Sequence, residues 1–129
     1  MNTYVAEDWS SDGRAWPALF RAIDGRDAEA FAAFLAPGGE FRFGNMDAVH
    51  GRAAVVAAVS GFFAAIGGCS HRLLRTWSTG TSAACEGEVT YTRLDGRIVI
   101  LPFTNTFTLE GGLVSAYRIY IDNAPLWAP

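Results

Sequence analysis

A carboxylate ends the most strand-like run of the chain, in the stretch AYRIYIDNAP at 116–125. The residues before Asp122 favour extended structure, and Pro125 soon after it breaks a strand. If the side chain points into an apolar interior, loss of hydration favours the protonated acid, and Asp122 becomes a candidate general acid or base. If the chain simply reaches the surface there, Asp122 is a solvated carboxylate or accepts hydrogen bonds from the next turn.

Three further polar side chains could take part in such chemistry. His71 begins a strand-like run and is a candidate catalytic partner base, although a histidine at such a corner is commonly exposed or capped. Asn105 lies between two phenylalanines on one strand face, so its amide either bonds locally in the core or faces a ligand. Tyr120 shares a strand face with Asp122 if alternation holds, and it either presents its phenol to a ligand or packs ordinarily.

The elements that must position these residues change from helix to strand near residue 70. Apolar residues recur at helical spacing from about residue 14 to Gly25, in RDAEAFAAFLAPGG (26–39) and in GRAAVVAAVSGFFAAIGG (51–68), which is apolar on nearly every face and predicts a largely buried helix. The stretch EFRFGN, which lies between the second and third predicted helices, predicts a short strand. Four strand-like runs follow: HRLLRTWST, ACEGEVTYTR, RIVILPFTNTFTL and LVSAYRIYID.

The connections and the order of the elements predict the fold class. Asp95-Gly96 and the EGG stretch at 110–112 are typical of hairpin turns between antiparallel strands. Helices first and strands afterwards indicate an α+β fold, with three N-terminal helices packed on one face of a strongly curved, mainly antiparallel sheet. Residues 98–103 are apolar on both strand faces, so we expect the open face of the sheet to form a homodimer interface.

Composition limits the function classes. A chain of 129 residues fits one domain, residues 1–129, whose first 13 residues we expect to be loosely ordered. The net charge of −3 argues against nucleic acid as a partner, and because all ten cations are arginine, lysine Schiff-base chemistry is excluded.

No sequence motif indicates a bound group. Cys69 and Cys85 form no ligand motif, and no nucleotide motif is present, so we expect free thiols, no metal and no cofactor. The first residues have no apolar signal segment and no run is long enough to span a membrane, so no membrane partner and a cytoplasmic location are expected.

Four stretches carry a resemblance to a known family: FRFGNM (41–46) with the HGR that follows at 50–52, TYTRLDGR (90–97), LPFTNTF (101–107) and YRIYIDNAPL (117–126). From about Trp16 to Leu126 the chain resembles the SnoaL-like proteins of the nuclear transport factor 2-like superfamily, whose relatives include ketosteroid isomerases and limonene-epoxide-hydrolase-type enzymes. The resemblance implies a cone-shaped domain with an apolar pocket. It also implies that Asp122 matches the acid deep in the cone, and that Asn45 matches a pocket asparagine of the epoxide hydrolases.

The chain departs from two of these relatives. The epoxide hydrolases need an Arg-x-Asp pair on a strand that here reads CEGEVTY, and the acidic positions of the ketosteroid isomerases fall near Phe43 and Phe103. Neither usual mechanism is expected. A pocket of this kind would be lined by Trp16, Phe20, Phe43, Tyr91 and Phe103, with Tyr120, Asn105 and Asn45 as polar binding residues.

Three functions follow from the resemblance. The first is a SnoaL-like enzyme that uses cofactor-independent acid–base chemistry, of cyclase, isomerase or hydratase type, on a small hydrophobic, polyketide- or terpene-like molecule. The second is a non-catalytic hydrophobic-ligand-binding or dimerisation module. The third is a small epoxide hydrolase with an altered relay, in which Asp122 and His71 activate water.

Overall fold

The fold is described by a computed structural model that covers residues 8–129. In chain order the elements are α1 (Ala15–Asp24), α2 (Ala28–Ala32), β1 (Leu35–Phe43), β2 (Val49–His50), α3 (Arg52–Ala64), β3 (Ile66–Ser78), β4 (Ser82–Arg93), β5 (Ile98–Glu110), β6 (Leu113–Tyr120) and α4 (Ala124–Trp127). The predicted α+β class is confirmed, because a few helices cover one face of a curved, unclosed sheet in the manner of a cone.

The sheet has six strands in the order β2-β1-β6-β5-β4-β3. Only β1 and β6 run parallel among these neighbours; the other pairs are antiparallel. Burial alternates strictly along β4 and through most of β5, so one face is the core side and the other is open. Helices α1 and α3 lie against the core side and enclose the space described below.

Two of the three predicted helices differ from expectation. The second ends at Ala32, well before the Pro37-Gly38-Gly39 stop, because Leu35 already pairs with Val114 in the sheet. The predicted EFRFGN strand is therefore the second half of a longer β1. In α3 the interpretation of a largely buried helix is wrong: only Val55, Val59 and Phe63 are buried, since its many alanines can face solvent at little cost.

Both predicted hairpins are confirmed, and the sheet also contains a bulge. Gly96 (φ +91°) lies in the β4–β5 turn, and Gly112 (φ +82°) in the β5–β6 turn, where the left-handed backbone favours glycine. The β3–β4 register shifts between Leu73 and Arg75. Opposite the bulge, a Cβ on Gly87 would collide with the carbonyl oxygen of Arg72, so only glycine fits there.

The segment before α1 differs from the expectation of a loosely ordered start. Residues 1–7 of that segment lie outside the described residues. Trp9, however, is buried, and its Nε1 donates a hydrogen bond to the carbonyl of Gly112 (2.9 Å). Trp16 Nε1 in turn donates to the carbonyl of Trp9 (2.8 Å), so this part of the segment is fixed to the core.

The open face of the sheet carries exposed apolar side chains, as the pattern over residues 98–103 predicted. They are Leu74, Trp77, Ile98, Ile100 and Tyr120. No helix within residues 8–129 has the length and apolar character needed to cross a membrane.

Candidate functional site

A cavity of about 80 Å³ lies between the helices and the core side of the sheet. It is smaller than the roughly 150 Å³ apolar cavity that holds benzene in an engineered protein, so a guest larger than one ring requires side chains to move. Met46 is on its wall and 59% exposed, which makes it a side chain that can move without disturbing the core. The described wall is mostly apolar, and nine of its nineteen residues are phenylalanine or tyrosine: Phe20, Phe31, Phe41, Phe43, Phe62, Phe63, Tyr91, Phe103 and Tyr117.

His71 is the one imidazole on this wall among the described residues, and Asp24 holds it in place. Its Nδ1 is 2.5 Å from Asp24 Oδ1, and its backbone N–H donates to Asp24 Oδ2 (3.0 Å). The imidazole ring packs against Phe20 and Phe103, with centroid distances of 5.0 and 5.3 Å. The His71 side chain is only 9% exposed.

The fold brings this pair together through the turn after α1. Asp24 is the last residue of α1, and Arg26, in a left-handed conformation (φ 53°), redirects the chain towards α2. The Arg26 guanidinium donates to the carbonyl of Ile66 (3.2 Å), which ties this turn to the first residue of β3. His71 lies further along the same strand, so the end of α1 is held beside it.

The geometry gives the imidazole a defined chemical role. A carboxylate on Nδ1 favours the tautomer with its proton on that nitrogen and stabilises the imidazolium once it forms. Nε2 of His71 has no hydrogen-bond partner among residues 8–129, and it is the ring atom left to exchange a proton with a guest. The arrangement can therefore perform general acid–base chemistry.

Asn105 supplies the second polar feature of the cavity. It is 2% exposed, and its Nδ2 donates a long hydrogen bond to Tyr117 Oη (3.4 Å). Its Oδ1 is buried without a hydrogen-bond partner among the described residues. The sequence left open whether this amide bonds locally or faces a ligand; in the structure it bonds Tyr117 and also lies on the cavity wall.

The remaining polar groups of the wall stay protonated near neutral pH. Burial raises the pKa of the Tyr91 and Tyr117 phenols above their ordinary range. Burial, together with the nearby Asp24 carboxylate, raises the pKa of the Cys69 thiol to about 12. These side chains therefore present neutral hydroxyl and thiol groups to a guest.

One group of possible metal ligands exists within residues 8–129, formed by Asp24, Cys69 and His71, whose ligand atoms lie within 4.8 Å of one another. The sequence did not predict it, because Asp24 is 47 residues from His71. A thiol is a poor metal ligand until it loses its proton, and the raised pKa of Cys69 opposes that loss. The group is better described as a hydrogen-bonded histidine–aspartate pair beside a buried thiol.

The structure corrects the position of Asp122. Its side chain is exposed, does not line the cavity, and accepts a hydrogen bond from the backbone N–H of Ala124 (3.1 Å) at the start of α4. Asp122 and Tyr120 do lie on the same side, as predicted, but in an open groove on the outer face of the sheet. Ile119 and Ile121, which alternate with these two residues along the chain, line the cavity instead.

Two more predicted binding residues lie elsewhere. Asn45 is exposed in the turn after β1, where its neighbour Met46 reaches the cavity wall. Trp16 is buried but packs with Trp9 and Phe107 in the core. The cavity does bring together six of the predicted residues: Phe20, Phe43, His71, Tyr91, Phe103 and Asn105.

Asp24 is the residue that sequence reasoning missed. Its only signal was a carboxylate at the end of the first predicted helix, just before Gly25. A carboxylate is unfavourable at a helix C-terminus, so a partner outside the helix was a reasonable inference. The sequence alone did not indicate which partner.

Comparison with known proteins defines the family. The model of the SnoaL-like domain matches residues 16–117, and the chain therefore belongs to the SnoaL-like domain family. Among curated proteins no match is found.

Solved structures share the fold at low identity. A protein with a ketosteroid isomerase-like fold from Catenulispora acidiphila, in complex with trimethylamine, is 13% identical, covers 93% of this chain and 100% of its own, and has a TM-score of 0.82. A candidate polyketide cyclase from Xanthomonas campestris is 19% identical over 83% of this chain and 87% of its own, with a TM-score of 0.75. TerC, co-crystallised with polyporic acid, is 18% identical, covers 85% of this chain and 90% of its own, and has a TM-score of 0.75.

Proposed function

We propose that the chain is a SnoaL-like small-molecule enzyme that transfers protons, without a cofactor, on a hydrophobic guest bound in the cavity. His71 Nε2 is the atom that accepts or donates the proton. Asp24 is a positioning residue that fixes the tautomer of His71 and stabilises its charged form. The proposal is supported chiefly by the 2.5 Å contact between Asp24 and an imidazole that lines an otherwise apolar cavity.

The apolar wall supports this role on physical grounds. Electrostatic interactions are stronger where water is excluded, so the contact with Asp24 orients the His71 imidazole more firmly than a pair at the surface would. The reaction type is proposed as cyclase, isomerase or hydratase, because each needs a proton moved at carbon or oxygen and no redox group. The neighbouring candidate polyketide cyclase supports a polyketide-like carbon skeleton as the substrate.

Solvent deuterium exchange tests proton transfer without knowledge of the natural substrate. Small ketones such as cyclohexanone and acetophenone are incubated with the protein in D2O, and proton NMR follows the loss of the signal next to the carbonyl. The wild-type protein is expected to accelerate the exchange. His71→Gln should lower the acceleration by about a hundredfold or more, whereas His50→Gln, which changes a side chain that is 65% exposed, should leave it unchanged.

A positioning role for Asp24 has its own readout in the same assay. Asp24→Asn keeps the size of the side chain, but an amide can offer either its oxygen or its NH2 group to His71 Nδ1 and no longer fixes the tautomer. The exchange rate at saturating ketone should fall, while the affinity for the ketone should stay unchanged, because Asp24 does not line the cavity. A loss of ketone affinity in step with the loss of rate would show that Asp24 is only structural.

The second candidate is a non-catalytic module that binds a hydrophobic molecule. It is favoured by the small number of polar groups on the cavity wall and by the exposure of Asp122. Ketones that bind the cavity but exchange no faster than in buffer would support this function. The hydrolase with Asp122 and His71 as a relay is not proposed, because one residue lies in the outer groove and the other on the cavity wall.

A further inference from the structure

The amide of Asn105 has an acceptor that the protein leaves unpaired. Asn105 lies on the central strand β5, with Cys85 opposite it on β4 and Ile119 on β6. Its Oδ1 is buried, and no donor among residues 8–129 reaches it. Burial of an acceptor without a partner is unfavourable, and buried polar atoms in folded proteins are nearly always bonded.

Packing gives no reason for an amide at this place. The residues on either side of Asn105 on the same strand face, Phe103 and Phe107, are buried phenylalanines, and most of the other wall residues are apolar. A leucine would fill the position without a buried acceptor of its own, at the loss of the long hydrogen bond to Tyr117 Oη. Since the amide lines the cavity, the partner that it lacks is best supplied by a molecule bound there.

The chemistry of that partner follows from the site. Oδ1 is an acceptor, so the partner must be a donor. A cationic donor is disfavoured, because the described wall carries no carboxylate and the nearby Asp24 is already bonded to His71. The rings of the wall favour a flat apolar body through stacked and edge-to-face contacts.

We propose that the substrate is a hydroxylated aromatic or enolic ring whose O–H group donates to Asn105 Oδ1. This inference deepens the proposed function and rests on it only in taking the cavity as the substrate site. Asn105 is a binding and specificity residue, which selects ring compounds with a free hydroxyl over those that lack it. A site built to bond a hydroxyl discriminates strongly against the analogue without one, because its own polar atom is then left unpaired.

A binding experiment with isosteric probes tests the proposal independently of catalysis. Phenol and toluene have nearly the same shape and differ in the hydroxyl, while benzaldehyde offers an acceptor and no donor. Their affinities are measured by NMR titration for the wild-type protein, for Asn105→Leu and for Thr106→Val. Thr106 is the matched control, since it lies on the same strand but faces the open side.

The informative quantity is the ratio of phenol affinity to toluene affinity. Asn105→Leu should lower this ratio by about tenfold, and Thr106→Val should leave it unchanged. Any of three results would overturn the proposal. They are an unchanged ratio in Asn105→Leu, no binding of any probe to the wild-type protein, and a loss of affinity in Asn105→Leu that is confined to benzaldehyde. None of these results changes the outcome of the deuterium-exchange test, so a failure of this inference can be distinguished from a failure of the proposed function.

Discussion

The unpaired atom of Asn105 predicts an unusual pattern of stability changes. Asn105→Leu removes the buried acceptor, whose desolvation costs about 1–3 kcal/mol. It also removes the only hydrogen-bond partner of Tyr117 Oη among the described residues, and leaves that hydroxyl unpaired at a similar cost. The two effects oppose each other, so the single variant should differ from wild type by less than about 1 kcal/mol in its free energy of unfolding.

Removal of both polar groups should stabilise the protein. In Asn105→Leu combined with Tyr117→Phe no unpaired atom remains, and the expected gain is about 1–3 kcal/mol. With an unfolding entropy of about 2.1 cal/mol/K per residue, 129 residues give about 0.27 kcal/mol/K. The gain then corresponds to a rise in Tm of about 4–11 °C. Tyr117→Phe alone should destabilise, because it removes the hydroxyl that Asn105 Nδ2 bonds and leaves Oδ1 unpaired as before.

The four proteins are compared by urea and thermal unfolding, followed by circular dichroism, with Thr106→Val as the control. The expected order of stability is the double variant first, then wild type and Asn105→Leu close together, then Tyr117→Phe. A double variant less stable than wild type would refute the reasoning. It would mean that Asn105 Oδ1 is already satisfied in the ligand-free protein, for example by a water molecule in the cavity, and that the amide contributes to folding.

Four further predictions address other parts of the chain. Asp122→Asn should leave deuterium exchange and stability almost unchanged, because an amide oxygen can still accept from Ala124 N; a large loss of exchange would restore Asp122 as a catalytic residue. Gly87→Ala should destabilise by about 1–3 kcal/mol or more in urea unfolding, since its Cβ meets the Arg72 carbonyl, and an unaffected midpoint would show that the bulge can relax. Burial raises the pKa of the Cys85 thiol from 9.0 to about 12, so the folded state holds this proton more tightly than the unfolded state. The free energy of unfolding should therefore fall as pH rises from 9.0 towards 12, by up to about 1.4 kcal/mol per pH unit, and Cys85→Ala should flatten that slope. We propose a homodimer through the open face of the sheet. The mass measured by light scattering should halve in Ile100→Asp but not in Leu94→Asp, a control at a side chain that is 70% exposed in the β4–β5 turn. A monomeric wild-type protein would contradict the proposal.

The fold could be predicted from local signals because each element carries its own. The alternation along β4, the glycine turns at 95–96 and 110–112, and the helical spacing before Gly25 are all short-range patterns. The parallel pairing of β1 with β6 carries no such signal, since it joins residues far apart in the chain. For the same reason α2 was predicted too long: its end is decided by the pairing of Leu35 with Val114.

The candidate site was predicted only where strand periodicity was sufficient. Asn105 and Phe103 share a face with buried neighbours, and the alternation of β5 fixes that face as the core side. For Asp122 the same rule gave the correct grouping with Tyr120 but could not say which face of β6 is concave, and a shift of one residue reverses the answer. The Asp24–His71 contact depends on how the end of α1 packs on β3, which no sequence spacing encodes.

The different surroundings of Asp122 and Asp24 explain why the second carboxylate is the better candidate for a role in proton transfer. Asp122 is solvated and occupied by the backbone of α4, a helix that carries Leu126 into the core and brings Trp127 to 6.2 Å from Phe62 on the cavity wall. Its contribution is to start this helix. Asp24 instead contacts an imidazole that packs against Phe20 and Phe103 and is only 9% exposed, so water screens this contact less than it screens Asp122. Asp24 can influence chemistry in the cavity because it contacts His71. Asp122, at the end of an apolar strand, makes no such contact.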